Sequence, residues 1–115
     1  MSELESFDLV NDLEQLFKDL RNSLKALRMN GAKYAEAEKD YKILLRQKVL
    51  EMKDAGYAVG IIDKTCYGIP EVAEARQKRD IAEAVYKANQ ESINVLKLQI
   101  RVVESQINRE WGNPE

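Results

Sequence analysis

The sequence predicts an all-α fold: a long antiparallel helical hairpin, with helices over about residues 2–54 and 70–111 joined by an apolar loop. Three observations predict it. Apolar residues recur three and four positions apart over long stretches, the period of an amphipathic helix. Breakers are scarce, with 5 Gly and 2 Pro in 115 residues and none of either between Glu71 and Trp111. The chain is 44% hydrophobic and 33% charged, a balance suited to long helices rather than to sheet or disorder. One helical domain over 1–115 is expected, made of an N-terminal helix 1–30, a helix 32–54, a loop 55–69, a long C-terminal helix 70–111 and a tail 112–115.

The first helix opens on Ser2 and Glu5, which fit a capping box: the serine oxygen takes an orphan N–H and the glutamate reaches back. Leu9, Leu13, Leu16, Leu20, Leu24 and Leu27 then line one side, and Val10 and Phe17 broaden the stripe. Asn30-Gly31 is ambiguous, because the pair reads as a turn and Gly is a usual helix terminator. The seven-residue track Leu13, Leu20, Leu27, Tyr34, Tyr41 nevertheless runs straight through it. A continuous or gently kinked helix is therefore favoured over a break at Gly31, at a cost of about 1 kcal/mol for the glycine.

Over 32–54 the stripe is Tyr34, Ala37, Tyr41, Leu44, Leu45, Val49 and Met52. Lys48 interrupts the heptads. Its stem can lie on apolar surface while the amine reaches water. Gly56 is the expected terminator. Residues 56–69 are oddly apolar for a connection, with Tyr57, Val59, Ile61, Ile62, Tyr67 and Ile69. The favoured reading is a cap folded over the end of the hairpin. The functional one is a docking tip made of Tyr57, Val59, Ile61, Ile62 and Tyr67.

The last helix starts at Pro70-Glu71, where proline lacks only an N–H that would be orphaned anyway. One heptad track reads Val72, Arg79, Tyr86, Ile93, Ile100, Ile107; its partner reads Ala75, Ala82, Asn89, Leu96, Val103, Glu110. Beside them runs a second apolar row: Ile81, Ala84, Val85, Ala88, Val95, Leu98 and Val102. That face is wider than a two-stranded seam needs, so a third helix or another copy of the chain is expected on it. Asn89, at a seam position, is expected to set register. Trp111 is expected to pack back on the first helix, with an exposed anchor as the other reading. Gly112 and Pro114 stop the helix.

Charge and composition narrow the chemistry. The formal net charge is −2, so no global field draws the chain to nucleic acid or anionic lipid. Its distribution is uneven: residues 1–19 carry six acids against Lys18, and residues 20–48 carry eight basic residues against three acids. That order suits the helix dipole and could also let two chains pair head to tail, although a solvated surface is the simpler reading. One cysteine, Cys66, and no histidine leave no zinc site, no intrachain disulfide and no thiol–imidazole pair. The carboxylates sit at ion-pair spacing from Lys and Arg. No cofactor, metal or catalytic residue is expected, and the chain reads as non-enzymatic. The N-terminus lacks the basic start and apolar core of a signal peptide, and no apolar run approaches membrane-spanning length. Lys64, Arg76, Lys78 and Arg79, with Tyr57 and Tyr67 for stacking, offer a weak nucleic-acid surface that Glu71, Glu74 and Asp80 interrupt.

Three runs carry a family resemblance: AEAEKDYK at 35–42, EMKDAGY at 51–57, and KRDIAEAVYKA at 78–88 continuing to REWG at 109–112. Together they resemble small uncharacterised helical proteins of tailed bacteriophages and prophages of Gram-positive bacteria, over about residues 30–112. The resemblance implies a bacterial cytoplasm and an early or accessory phage gene, near replication and recombination genes. It implies no activity and no site residue. The expectation is a phage protein-interaction module that self-associates, as a dimer by preference, through Ile81, Val85, Ala88, Val95, Leu98, Val102 and Trp111 and binds a protein partner. A single-stranded-DNA accessory and a structural or scaffold component are the alternatives.

Overall fold

The computed structural model describes residues 3–111. All elements in that span are helical: α1 over Glu3–Asp54, α2 over Val59–Thr65, a 3-10 turn over Cys66–Gly68, and α3 over Pro70–Trp111. The capping serine Ser2 and the stop at Gly112 and Pro114 lie outside the described residues. Among the described residues no helix is long and apolar enough to cross a membrane. The chain divides into two compact units, a terminal one of Met1–Arg28 with Ala88–Glu115 and a central one of Met29–Lys87.

In the central unit, α1 passes through Gly31 without a break. The reason is a close approach. A Cβ on Gly31 would stand 3.1 Å from Cε1 of Tyr86, whose ring also packs on Tyr34 with centroids 6.0 Å apart. The glycine's helix cost is thus offset by an aromatic contact that a side chain would crowd. Further along the seam Tyr41 is buried, and the Arg79 guanidinium lies over its ring at 4.6 Å. That cation–π stack is how a seven-residue track accommodates arginine.

α1 then ends as expected at Gly56, which takes φ +89°. The Tyr57 N–H donates to Met52 O at 3.1 Å and the Gly56 N–H to Lys53 O at 3.0 Å, the paired bonds of a Schellman motif. The connection over 55–69 departs from the expected loop. Most of it is helix, α2 followed by the 3-10 turn. Ile62 and Cys66, four apart, share one face of this segment and are buried, as is Val72 at the start of α3. Burial of that face stabilises a helix of 7 residues that would not persist alone. The glycines at 56, 60 and 68 gave the stretch its loop-like composition.

In the terminal unit, Ile93 and Ile100 are buried, and Leu13, Leu16, Leu20, Leu27, Leu96, Val103 and Ile107 are half-buried. The α1 stripe differs from expectation at Phe17 and Leu24, which are both exposed. Leu24 is 44% exposed and Ser23 takes the inner place, because a strict seven-residue period from Leu16 falls on 23 and not on 24. Asn89 Nδ2 donates to the Ser23 carbonyl oxygen at 3.1 Å, a cross-helix bond between residues 66 apart. Trp111 departs from the expected packing on α1: it is 61% exposed.

Candidate functional site

The residues that stand out for function are apolar and on the surface. In the terminal unit Ala88, Val95, Leu98 and Val102 all lie exposed on α3, Leu98 at 60%. Ala88, Val95 and Val102 follow one another at seven-residue spacing, and Leu98 sits three beyond Val95. That alternation is the pattern of a coiled-coil seam, here turned away from the buried track of Ile93 and Ile100.

Beside this row runs an open groove. One stretch, about 490 Å³, is lined by Asp12, Gln15 and Leu16 of α1 and by Leu98, Gln99, Val102 and Val103 of α3. A neighbouring hollow is lined by Ser23 with Ala88, Glu91, Ser92, Val95, Leu96 and Gln99. The α3 wall is mostly apolar. The ionisable residues in the two linings are Asp12 and Glu91, both acidic, with no Lys or Arg. Gln15 Nε2 donates to Asp19 Oδ1 at 2.9 Å, so a second carboxylate is held next to the α1 wall.

The central unit presents different surfaces. Ile81 and Val85 are exposed on α3, and Ile81 shares a shallow hollow with Tyr67, Ala73, Arg76 and Ala84. At the turn, Tyr57, Val59, Ile61 and Tyr67 are exposed while Ile62 is buried. The stretch is therefore part plug and part surface.

The four cations considered for nucleic acid are not gathered together. Arg79 Nη2 pairs with Asp80 at 2.8 Å and Nη1 with Glu38 at 3.7 Å, which occupies its guanidinium. Arg76 lies over the Tyr67 ring at 5.7 Å. Lys78 lines a separate groove with Lys33, the apolar Ala37, Leu44 and Ala75, and the acids Glu36, Asp40, Glu71 and Glu74. Lys64 is exposed at the end of α2.

Ion pairs set the electrostatics of this unit. Lys48 Nζ reaches Glu71 at 3.3 Å and Glu51 at 3.4 Å, and these bonds raise its pKa. The hydrogen bond from Lys87, at 2.7 Å, holds Glu83 below the usual carboxylate range and raises Lys87 in turn. Partial burial, with Glu83 and Glu38 nearby, pushes the Tyr34 phenol up. Bonding to Asp80 raises Arg79. Each shifted group has a structural partner, so these are fixed surface pairs rather than groups poised for proton transfer. No cluster of three or more His, Cys, Asp or Glu able to hold a metal ion occurs among the described residues.

Two features were missed in the sequence. The acidic lining of the terminal groove, Asp12 and Glu91, depends on which flanks of α1 and α3 border it, and the seven-residue spacing of Asp12 and Asp19 on α1 was the available signal. The Arg79 stack on Tyr41 was signalled by an arginine and two tyrosines occupying equivalent track positions. Comparison with protein-family models, with curated proteins and with solved structures returns no match for this chain.

Proposed function

We propose that this chain is a non-enzymatic protein-interaction module that self-associates through the outer apolar row of α3. The observation that carries the reading is the exposure of Val95, Leu98 and Val102 beside an open groove, in a unit whose buried apolar residues, among the described ones, are Ile93 and Ile100. A core that small leaves much apolar area in water, at about 25 cal/mol per Å², and a further helix on the row would remove it. The long antiparallel hairpin belongs to this proposal. In each unit taken by itself, rising α1 numbers meet falling α3 numbers: Tyr34 with Tyr86, Tyr41 with Arg79 and Lys48 with Glu71 in the central unit, and Leu16 beside Leu98 and Ser23 beside Asn89 in the terminal one. The phage origin and the setting in a bacterial cytoplasm rest on the resemblance over residues 30–112 alone.

Sedimentation tests the reading. The wild-type protein is expected above the 13.2 kDa monomer at tens of micromolar, and Leu98→Glu with Val102→Glu is expected at the monomer mass with its helix content intact. A wild-type protein that stays at 13.2 kDa at every concentration overturns the proposal.

A further inference from the structure

The terminal unit carries a second surface, on the flank of α1 opposite the groove. Phe17 and Leu24 are exposed there, seven residues apart. Arg21 and Arg28 stand four residues beyond them on the same face, with Lys18 and Lys25 next round the helix and Glu14 beside these; all four cations are exposed and none is in an ion pair among the described residues. An apolar stripe with a basic border is the chemical complement of an apolar groove with an acidic wall. The spacings agree as well: Phe17 to Leu24 and Val95 to Val102 are each seven residues, or about 10.5 Å along a helix.

Resting on the self-association reading above, we infer that the terminal units join head to tail: the Phe17–Leu24 stripe of one copy seats in the groove of the next. There the stripe covers Val95, Leu98 and Val102, and the basic border meets Asp12, Asp19 and Glu91. The two surfaces are different and occupy different flanks, so the contact is heterologous. Each added copy brings a free groove and a free stripe. Assembly therefore continues beyond a dimer unless the rotation closes a ring. A two-fold dimer through the α3 row would instead set Glu91 and its neighbours near their own copies, with no use for the four unpaired cations.

Charge reversal separates the outcomes. One full-length variant carries Asp12→Lys and Glu91→Lys, which makes the groove basic. A second carries Arg21→Glu and Lys25→Glu, which makes the stripe border acidic. All four positions are exposed, so circular dichroism is expected to match the wild type. In sedimentation equilibrium the wild-type mass is expected to climb past the dimer with concentration and to fall in about 1 M salt, where the Debye length is about 3 Å. Each variant alone is expected to associate about tenfold more weakly or worse, from like charges brought face to face. An equimolar mixture is expected to recover assembly, because the basic groove now accepts the acidic stripe. Variants that assemble like the wild type, a mixture no better than its components, or a wild type that stops at a salt-insensitive dimer would each overturn the head-to-tail contact while leaving self-association standing. A monomeric wild type would overturn both.

Discussion

The central and terminal units are built on the same seven-residue alternation, yet they finish it differently. The central unit fills its seam with Tyr34, Tyr41, Arg79 and Tyr86 and closes one end with α2, burying Ile62, Cys66 and Val72. It also ties its helices by ion pairs such as Lys48 to Glu71 and Arg79 to Glu38. The terminal unit has an aliphatic seam, the Asn89–Ser23 bond, and an uncovered apolar row. A heptad repeat therefore specifies which residues face inward without specifying whether the result is finished. Completion depends on what lies outside the repeat: α2 caps one end of the central unit, while both units keep apolar α3 residues in water, Ile81 and Val85 in the central one and Val95, Leu98 and Val102 in the terminal one.

The largest effect that would sharpen this contrast comes from the cap. Ile62→Ala removes a fully buried side chain and is expected to destabilise the central unit by about 2–5 kcal/mol. Val95→Ala, on the exposed row, is expected to stay within about 0.5 kcal/mol in the monomer. Urea unfolding followed by tyrosine near-UV circular dichroism reads the first directly, because Tyr34, Tyr41, Tyr57, Tyr67 and Tyr86 all lie in the central unit. Equal losses from the two substitutions would erase the distinction between the buried cap and the exposed row.

Next in size is the crowded glycine. Gly31→Leu is expected to cost about 1–3 kcal/mol by forcing the Tyr86 ring away from α1, despite the gain in helix propensity. In a Tyr86→Ala background the same change is expected to be neutral or stabilising. A double-mutant cycle in urea with no coupling would show that the ring does not constrain residue 31.

A smaller effect, in the other unit, is expected at Asn89. Asn89→Ala removes the bond to the Ser23 carbonyl and is expected to cost about 0.5–1.5 kcal/mol by thermal unfolding. A rise in stability instead would mean that the polar side chain is retained for register at a net cost.

These sites also show what could be read from residues alone. The two α3 tracks followed from spacing, because a 42-residue helix free of internal Gly and Pro leaves the period unobscured. Continuity through Gly31 followed from the unbroken seven-residue phase, but its cause did not, since Tyr86 lies 55 positions away in the chain. The three-and-four spacing of the leucines points Leu24 inward, whereas the strict seven-residue period puts Ser23 there. The helix α2 within 55–69 is not legible from composition, because it rests on the burial of Ile62 and Cys66, which local composition does not encode. The exposed row was apparent as surplus apolar area; the charge of the groove beside it required knowing which flank of α1 it borders.

The smallest expected effect concerns pH and falls in the central unit, where Tyr34, Lys48, Glu83 and Lys87 all titrate away from their ordinary values. Lys48 and Lys87 have raised pKa values in the folded chain. Their contribution is complete below the unfolded lysine pKa and is lost as pH rises through the folded one. Tyr34 acts in the same direction, since its raised pKa means that ionising the phenol favours unfolding. Glu83 is depressed, so its contribution is present above the unfolded carboxylate pKa and is lost as pH falls through the folded value. Thermal stability is therefore expected to be flat around neutrality and to decline modestly at both extremes, because exposed pairs are weak. Lys48→Met is expected to lower stability slightly at neutral pH and to make the alkaline decline shallower, as Glu71 and Glu51 lose their shared cation. An alkaline profile parallel to the wild type would mean that the Lys48 pairs contribute nothing, leaving the aromatic seam and the α2 cap to hold the central unit.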